Sequence, residues 1–384
     1  MRILVWSGSC SPPWDDGTGV FVRHICDELA YQGHKVKVLT FRKWKKAIEQ
    51  EKKLPFQVAY YRALPVLTRF NFVLINVYLV FQTLHFRPDL IFLGQAISSS
   101  ALGMMYISRR FSIPYVVLIH GSDLSYSVHT RLDRWSLDRV LHNAALLLTN
   151  SKYTKEKLGK RNYGTQGIQI IHPGVDVELF QPKDSDSAKK RYDLSNRKVC
   201  LTVGRITVRK GQERVLKALT KVVDKIPEVI YLIVGREDTR LKQLAKGLNL
   251  EDHVRFLGHM EQKQLPDVYN ASDLFVMPSY SVEGDIESFG IVYSEAAACG
   301  LPAIGGRSGG VPEAVLDGST GILVDPYDIG AIAEAMIRLL TNEEESSRLG
   351  ANGRRRVEEE LSWKKTGEKI DHLLKMIVER ERVE

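Results

Sequence analysis

Short apolar runs rich in β-branched residues alternate along the chain with longer stretches of helical periodicity. A turn-rich segment follows the first of these runs, and a helix is predicted over Val20–Gln32, with Gly33 placed to end it. Such alternation favours a parallel sheet covered by helices on both faces. The strands expected in the first half are Ile3–Trp6, Lys35–Thr40, Leu90–Leu93, Tyr115–Ile119, Leu146–Thr149 and Gln169–Ile171.

The same alternation starts again in the second half of the chain. The strands expected there are Val199–Val203, Val229–Val234, Val254–Leu257, Leu274–Val276, Pro302–Ile304 and Gly321–Leu323. A polar, turn-prone stretch from Phe180 to Ala188 lies between the two series and is the best linker candidate. We therefore predict two doubly wound α/β domains, 1–180 and 181–362, and a charged amphipathic helix over 363–384 that packs back on the first. Ligands of such sheets bind beyond the carboxyl ends of the strands, so the site is expected in the crevice between the domains.

Composition excludes several classes of protein. Of 384 residues, 44% are hydrophobic and 26% charged, which is ordinary for a globular chain and excludes a largely disordered one. The four cysteines, Cys10, Cys26, Cys200 and Cys299, are scattered without any CxxC spacing. A disulfide framework or a structural zinc site is therefore not expected, and a reducing compartment fits.

The charge of the chain is unevenly distributed. Residues 1–180 hold 23 Lys and Arg against 13 Asp and Glu, whereas the remainder holds 31 against 33. A basic half indicates either a partner for that half, such as an anionic membrane surface, or simply a solvated basic surface. The run Arg42–Lys46 contains Trp44 and is the predicted membrane contact.

No segment is expected to cross a membrane. The longest apolar stretch, Phe70–Phe86, is interrupted by amides and is shorter than the ~20 residues that a span requires. We expect that stretch to fill the core rather than to meet lipid. The first residues predict a strand and not a signal peptide. The prediction is a cytoplasmic protein that can associate peripherally with the membrane.

Three cations follow the strand Val199–Val203. Arg205, Arg209 and Lys210 lie between that strand and a helix expected to begin near Gln212. Cations on a strand-to-helix loop, above a helix N-terminus, suit a phosphate or diphosphate. A solvent-exposed basic loop without a ligand is the other interpretation, and this loop alone does not decide between them.

Two glutamates eight positions apart form the second candidate. On one helix Glu287 and Glu295 would be offset by ~80°, so we place Glu287 in a loop and Glu295 inside the helix that follows. Gly290 and its neighbours would then offer backbone N–H groups to an anion or to sugar hydroxyls. Glu295 has apolar neighbours, and a carboxylate buried among them requires a partner.

Three other segments carry weaker signals. The loop Gly305–Glu313 is rich in glycine, which allows a ligand to approach closely but also serves simply to turn the chain. His120 ends an apolar strand, where a lone histidine is more often structural, although a position facing the crevice would favour a function. Asp16–Val20 lacks the full GxGxxG spacing, so a dinucleotide site is poorly supported.

As an ordered set, these segments resemble the retaining family-four glycosyltransferases of GT-B fold. The motifs are Val203–Gly211, Glu287–Glu295, Ser308–Glu313 and Asp317–Pro326, and Asn150–Thr154 and His172–Pro182 are similar to the segments that close the first domain of that family. The resemblance implies two Rossmann-like doubly wound domains facing across a cleft. The stretch Glu283–Pro312 looks most like the phosphatidylinositol mannosyltransferases and related envelope-glycan enzymes. Two departures are Gly17-Thr18-Gly19, where the family commonly has Gly-Gly, and His172-Pro173, where Pro-Asn is commoner.

The resemblance assigns roles to individual residues. Arg205 and Lys210 would hold the donor diphosphate, Glu287 would lie beside the donor sugar, and Glu295 would accept from the ribose hydroxyls. His120 would bond the sugar near the reacting carbon. The remaining donor-binding residues that it implies are Gly19, Gly204, Ser288, Phe289, Gly290 and Ile291.

The function implied is transfer of a sugar from a nucleotide sugar to a glycan or lipid-linked acceptor, without cofactor or metal. GDP-mannose is the favoured donor, and UDP-glucose or UDP-N-acetylglucosamine are alternatives. A sugar-nucleotide epimerase could use the same architecture without an acceptor. A dinucleotide-dependent oxidoreductase would require the missing GxGxxG motif, and a nucleic-acid binder would require more cations interleaved with aromatic residues.

Overall fold

The chain divides into two structural units. The computed structural model describes residues 1–8, 17–41, 54–61, 71–96, 98–121, 131–160, 163, 167–236, 238–283 and 285–383. The first unit comprises Met1–Pro173 and Trp363–Glu384, and the second comprises Gly174–Ser362. The division thus falls seven residues before the boundary predicted at 180. The segment between these points belongs to the second unit, where the Val175 amide donates to the Leu361 carbonyl at 2.8 Å and Phe180 is fully buried.

A seven-stranded parallel sheet forms the centre of the first unit. Its spatial order is β3-β2-β1-β4-β5-β6-β7. The strands are β1 (Arg2–Trp6), β2 (Lys35–Phe41), β3 (Gln57–Tyr61), β4 (Leu90–Leu93), β5 (Tyr115–Ile119), β6 (Leu146–Thr149) and β7 (Ile168–Ile170). β1 pairs with both β2 and β4, so the order reverses there, as in a doubly wound fold. The strand β3 was missed in the sequence, because Gln57–Tyr61 is half-buried and carries no continuous apolar run.

Helices connect these strands, as parallel pairing requires. They are Gly17–Tyr31, Asn71–Phe86, Ser98–Phe111, Arg131–His142 and Lys152–Gly159. A last helix, Trp363–Val383, packs against Gly17–Tyr31, where the Trp363 ring stacks on His24 with 4.4 Å between ring centroids. A Cβ atom at Gly367 would lie 2.4 Å from the Glu28 Cβ, so the two helices meet at a position that only glycine fits.

The second unit contains a six-stranded parallel sheet in the order β10-β9-β8-β11-β12-β13. The strands are β8 (Lys198–Val203), β9 (Val229–Val234), β10 (Val254–Gly258), β11 (Leu274–Met277), β12 (Ala303–Gly306) and β13 (Gly321–Val324). All six were predicted from the sequence to within one or two residues. The helices are Ser185–Arg191, Gln212–Val223, Thr239–Gly247, Leu265–Asn270, Ile291–Ala298, Val311–Ala314, Ile329–Thr341 and Glu343–Glu360.

Alternate residues of the second sheet enter two different apolar cores. On β9, Ile230 and Leu232 join the cluster on one face, whereas Tyr231 and Ile233 join the cluster on the other. This follows from the period of two with which side chains leave a strand. Both faces are therefore dry, and the polar loops emerge only at the edges of the sheet.

Two sequence expectations about membranes can be compared with the fold. No helix among the described ranges is long and apolar enough to span a bilayer. Helix Asn71–Phe86 fills the core only on one side, through Ile75, Leu79 and Phe86, and the opposite side is exposed. The expectation that this segment would pack in the core therefore holds for one side of the helix and is wrong for the other. The basic run Arg42–Lys46 lies outside the described residues.

Candidate active site

The loop after β8 carries the three predicted cations at the carboxyl edge of the second sheet. It continues through a 3₁₀ turn, Val208–Lys210, into helix Gln212–Val223. Arg205 is exposed, but Arg209 and Lys210 are both buried. Buried cations require charged or polar partners, so the loop is not merely a solvated basic surface.

Glu287 supplies that partner. Its Oε2 atom accepts from Arg209 Nη1 at 2.7 Å and also from the Lys210 ammonium. Arg209 reaches a second carboxylate as well, since its Nε lies 3.1 Å from Asp285 Oδ1. Two cations and two carboxylates thus join the loop after β8 to the loop that precedes helix Ile291–Ala298.

The pKa values of these groups follow from burial and from one another. Burial by itself raises the pKa of Glu287, but Lys210 and Arg209 outweigh it and hold that pKa at about 2. Burial lowers the pKa of Lys210 in spite of Glu287, whereas Glu287 and Asp285 overcome the effect of burial on Arg209 and raise its pKa. Glu287 is therefore a permanent anion near neutral pH.

The glycine-rich loop after β12 packs against the backbone of Glu287. The Gly310 amide donates to the Glu287 carbonyl at 2.9 Å. Gly309 has a positive φ of 59°, and a Cβ atom there would lie 2.4 Å from the same carbonyl oxygen. The glycines are required because this backbone passes against the backbone of Glu287, a reason that neither sequence interpretation, ligand approach or a simple turn, had included.

Gly290 lies between Glu287 and the helix Ile291–Ala298. It adopts a left-handed conformation at φ 89°, and a Cβ atom there would lie 3.4 Å from Glu287 Cγ and 2.7 Å from the buried Tyr293 ring. The first N–H groups of a helix have no acceptor within it, and they point out of its N-terminus. The predicted residues Ser288, Phe289, Gly290 and Ile291 therefore lie together beside Glu287, with Gly204 on the other loop, near the Lys210 side chain.

Glu295 has a different environment. It is 7% exposed, lies inside helix Ile291–Ala298, and its Oε2 accepts from the Tyr269 hydroxyl at 2.8 Å. Burial raises its pKa to about 7, and the hydrogen bond from Tyr269 only partly opposes this. Tyr269 is the partner that burial of Glu295 was predicted to require, and no sequence pattern had marked Tyr269 for that role.

Gly19 and His120 belong to the first unit. His120 follows β5 and is buried; its Nε2 donates to the Gly94 carbonyl at 2.8 Å, so Nε2 carries a proton. Its ring meets Phe21 edge to face, with 5.7 Å between ring centroids. Gly19 is buried in the first turn of helix Gly17–Tyr31. Both residues lie at the carboxyl edge of the first sheet, where a doubly wound fold places its ligands.

Comparison with known proteins identifies this arrangement. Residues 184–356 match the family model described as Glycosyl transferases group 1, and residues 16–179 match that described as Glycosyltransferase Family 4. A GDP-mannose-dependent alpha-(1-6)-phosphatidylinositol monomannoside mannosyltransferase of Mycolicibacterium smegmatis is 31% identical over 293 residues, which cover 74% of this chain and 76% of the relative. The chain belongs to the family-four glycosyltransferases. The resemblance inferred from the sequence is confirmed, and with it retaining glycosyl transfer as the reaction class.

Other members of the family are similar over shorter stretches. A GDP-mannose-dependent monoacylated alpha-(1-6)-phosphatidylinositol monomannoside mannosyltransferase of Corynebacterium glutamicum is 33% identical over 66% of this chain and 68% of the relative. A D-inositol 3-phosphate glycosyltransferase of M. smegmatis is 37% identical over 53% of this chain and 47% of the relative.

Similar solved structures confirm the GT-B fold. Anabaena Alr3699/HepE, crystallised with UDP and glucose, aligns over 98% of this chain and 100% of its own with a TM-score of 0.81 at 21% identity. Sucrose-phosphate synthase from Thermosynechococcus elongatus aligns over 98% and 99% with a TM-score of 0.80 at 24% identity.

The cluster around Glu287 and Glu295 includes residues that were not selected from the sequence. Arg209 was noted as a loop cation but given no role, and Asp285 and Tyr269 were not singled out. Arg209 could have been selected from the sequence, because a cation adjacent to Lys210 on a short loop can bind the same carboxylate, that of Glu287. Asp285 and Tyr269 could not have been selected, because their contacts depend on the packing of separate segments.

The cluster offers positive charge without a metal ligand set. Among the residues that the structure describes, no group of three or more His, Cys, Asp or Glu side chains is placed to hold a metal ion. Lys210 has three N–H donors, so it can bind Glu287 and a phosphate oxygen together. The exposed Arg205 stands on the same loop, where a guanidinium can meet a diphosphate in bidentate fashion.

Proposed function

We propose that this protein transfers mannose from GDP-mannose to a glycan or lipid-linked acceptor, with retention and without an essential metal. The observation that carries the proposal is the buried cluster of Arg209, Lys210 and Glu287 at the carboxyl edge of β8, with Arg205 exposed on the same loop. It combines fixed positive charge with an anionic acceptor for sugar hydroxyls.

The reaction proposed is a front-face displacement. The acceptor hydroxyl oxygen bonds to the anomeric carbon as the bond from that carbon to the phosphate oxygen breaks, and the leaving phosphate oxygen takes the acceptor proton. Arg205 and Lys210 stabilise the charge that grows on the diphosphate, a charge-assisted contact of ~1.5–3 kcal/mol each. Glu287 orients the donor sugar, and His120 bonds the sugar near the reacting carbon.

The two long-matching relatives support mannose from GDP-mannose as the transferred group. Both are named as GDP-mannose-dependent mannosyltransferases, and they cover about two thirds or more of each chain. The acceptors in their names are phosphatidylinositol monomannosides, which favours a lipid-linked acceptor here. The prediction of a cytoplasmic enzyme that meets an anionic membrane through its basic first half stays part of this proposal.

A UDP-sugar is the second candidate donor. It is favoured by the fold likeness to a protein crystallised with UDP and glucose, although at 21% identity that likeness shows the fold alone. A sugar-nucleotide epimerase is less favoured, since the named relatives are transferases.

A thermal-shift panel of GDP, UDP, ADP, GDP-mannose, UDP-glucose and UDP-N-acetylglucosamine tests the donor. A ligand at a hundredfold excess over its Kd stabilises the folded state by about 2.7 kcal/mol. We expect GDP and GDP-mannose to raise Tm and the other nucleotides to have no effect. A shift with the uridine nucleotides instead would replace GDP-mannose with a UDP-sugar.

Incubation with the donor identified in this way then tests the reaction. A transferase releases the nucleoside diphosphate only slowly without an acceptor, whereas an epimerase converts the nucleotide sugar by itself. Activity that persists in EDTA supports the metal-free mechanism, and loss of activity that Mg²⁺ or Mn²⁺ restores contradicts it.

A further inference from the structure

Helix Asn71–Phe86 exposes a continuous row of apolar side chains, which we call the apolar stripe. Its members are Leu74, Val77, Phe81 and Leu84, and Val77 and Phe81 are 61% and 63% exposed. The spacing of three, four and three residues places them along one side of the helix. Ile75, Leu79 and Phe86 lie on the opposite side and are buried. The core therefore accounts for only half of the apolar residues of this helix.

The neighbouring helix Ser98–Phe111 extends this exposed surface. The two helices touch where Gly103 meets Asn76, since a Cβ atom at Gly103 would overlap the Asn76 side chain. Tyr106 and Arg110 follow Gly103 at i+3 and i+7, so they continue the side of the helix that borders the apolar stripe. Tyr106 and Phe111 are both exposed aromatic residues. A patch this apolar is unusual on a protein that has only water to face.

The formal charges on these two helices are of one sign. The two helices together contain no Asp or Glu, and their only formally charged side chains are Arg109 and Arg110, both exposed. Arg110 lies over the Phe111 ring, 5.6 Å from its centroid. On the next helix Arg139 lies over the exposed Trp135 ring at 5.2 Å. Arginine and aromatic side chains in this combination suit the headgroup layer of a membrane, where phosphates meet apolar chains.

An anionic lipid surface fits these features better than a second copy of the chain does. A symmetric dimer through the stripe would bring together two surfaces that carry arginine and no acid, and like charges would then face each other. Lipid phosphates neutralise the same arginines and leave the apolar row in contact with acyl chains.

We propose that the outer face of helices Asn71–Phe86 and Ser98–Phe111 docks this protein on an anionic bilayer. The apolar stripe enters the interfacial layer while Arg109 and Arg110 bind lipid phosphates. The inference rests on the proposed function in one respect: a lipid-linked acceptor would explain why this protein binds a membrane. Vesicle binding is measured without donor or acceptor, so its failure would remove the membrane contact, whereas mannosyl transfer is tested separately with donor and acceptor.

Co-sedimentation of the full chain with vesicles tests the surface. Vesicles of phosphatidylcholine alone are compared with vesicles that also contain phosphatidylglycerol, each at low and high salt. We expect binding to the anionic vesicles that weakens at high salt. The double variant V77S/F81S should lower the partition coefficient at least about tenfold, because two exposed side chains lose their transfer from water. R109Q and R110Q should each lower it about fivefold at low salt and have little effect at high salt.

Matched control variants change similar side chains elsewhere. Tyr31→Ser and Met376→Ser remove other exposed apolar side chains of the same unit, and Arg355→Gln removes an exposed arginine of the other unit. All three should bind vesicles as the unchanged protein does. Nucleotide-induced thermal shifts of every variant should stay unchanged, which shows that each is folded.

The variant F81W reports on depth, since it preserves the aromatic character of the stripe. Its fluorescence should shift to the blue with anionic vesicles and be quenched by lipids brominated on the acyl chain, beyond the change seen in the unchanged protein. Equal binding of V77S/F81S and the unchanged protein would overturn the proposal. So would an absence of vesicle binding, or a dimer in solution that V77S/F81S abolishes.

Discussion

Lys210 and Glu287 form a buried ion pair that links the loop after β8 to the loop before helix Ile291–Ala298. Lys210 ends a short 3₁₀ turn and Glu287 lies in a loop. Under the proposed function, the relative position of these two segments determines where the donor sugar and its diphosphate bind. Arg209 shares the same carboxylate oxygen, so removal of one cation leaves Glu287 still paired with the other. Because of this redundancy, a variant that lacks one cation can lose activity and still fold.

Arg205→Ala and Lys210→Ala should each lower kcat at least about tenfold. Arg205 is exposed, so its variant should keep the Tm of the unchanged protein. Lys210 is buried and paired, so its variant should also melt earlier while still folding, because Arg209 remains on Glu287. Steady-state kinetics and thermal melts measure both effects. Lys217→Ala, which removes an exposed lysine from the next helix, serves as the control, and unchanged kcat in both test variants would refute the assignment.

Substitution of Glu287 and substitution of Glu295 should impair different steps of the reaction. Glu287→Gln should cut the chemical step while the bare nucleoside diphosphate still binds, because that side chain is assigned to the sugar. Glu295→Gln should weaken nucleotide binding, because Glu295 is assigned to the ribose. Calorimetry with the nucleoside diphosphate and single-turnover rates separate the two effects. Equal loss of nucleotide affinity in both variants would disprove this division of roles.

The free energy of unfolding should fall with rising pH through the titration of Glu295. Its folded pKa of about 7 lies above the ordinary value of 4.5, so between these values the native state binds more protons than the unfolded chain. The decrease in the free energy of unfolding amounts to about 3 kcal/mol and is complete above pH 7. Denaturant melts of Glu295→Gln from pH 4.5 to 8 should lack this component. Parallel curves for variant and unchanged protein would show that Glu295 does not titrate there.

Arg209 should hold Glu287 ionised as well as in place. The pKa of Glu287 is depressed from 4.5 to about 2. The stability that its ion pairs contribute is therefore fully present above pH 4.5 and is lost as the pH falls through 2. Arg209→Met removes one of the two cations that depress it, so the acid limb of the kcat profile should move to higher pH. Arg214→Met is the control, because Arg214 lies over the rings of Tyr280 and Tyr327 and not on Glu287. A lower Tm with an unmoved acid limb would leave Arg209 a purely structural role.

Gly309→Ala should displace Glu287 and lower kcat. The added Cβ atom meets the Glu287 carbonyl at 2.4 Å, and a positive φ alone costs about 1–2 kcal/mol. Gly318→Ala is a matched control, since Gly318 also has a positive φ, 70°, but nothing lies within 4 Å of its added Cβ atom. Both variants should lose stability through backbone strain, and only Gly309→Ala should lose turnover as well. Equal kcat in the two would show that this glycine loop does not position Glu287.

The sequence by itself determined the two series of strands and the family of the enzyme. A strand buried on both faces of a parallel sheet must be apolar throughout, so strands such as Leu90–Leu93 and Leu274–Met277 are visible without any contact information. The motif residues Lys210, Glu287 and Glu295 were equally visible, because their spacing and neighbours limit where each can lie. Gln57–Tyr61 was missed because a half-buried strand lacks that signature.

Only the tertiary structure decided which of these residues touch. The hydrogen bonds of Glu287 to Arg209 and of Glu295 to Tyr269 join positions 78 and 26 residues apart. The exposed side of Asn71–Phe86 was likewise hidden in the sequence, because a helix with apolar residues all round shows no stripe until its neighbours cover one side. Local sequence patterns determine which secondary structure each segment forms. Long-range packing determines which side chains are in contact, and the chemistry of this site depends on those contacts.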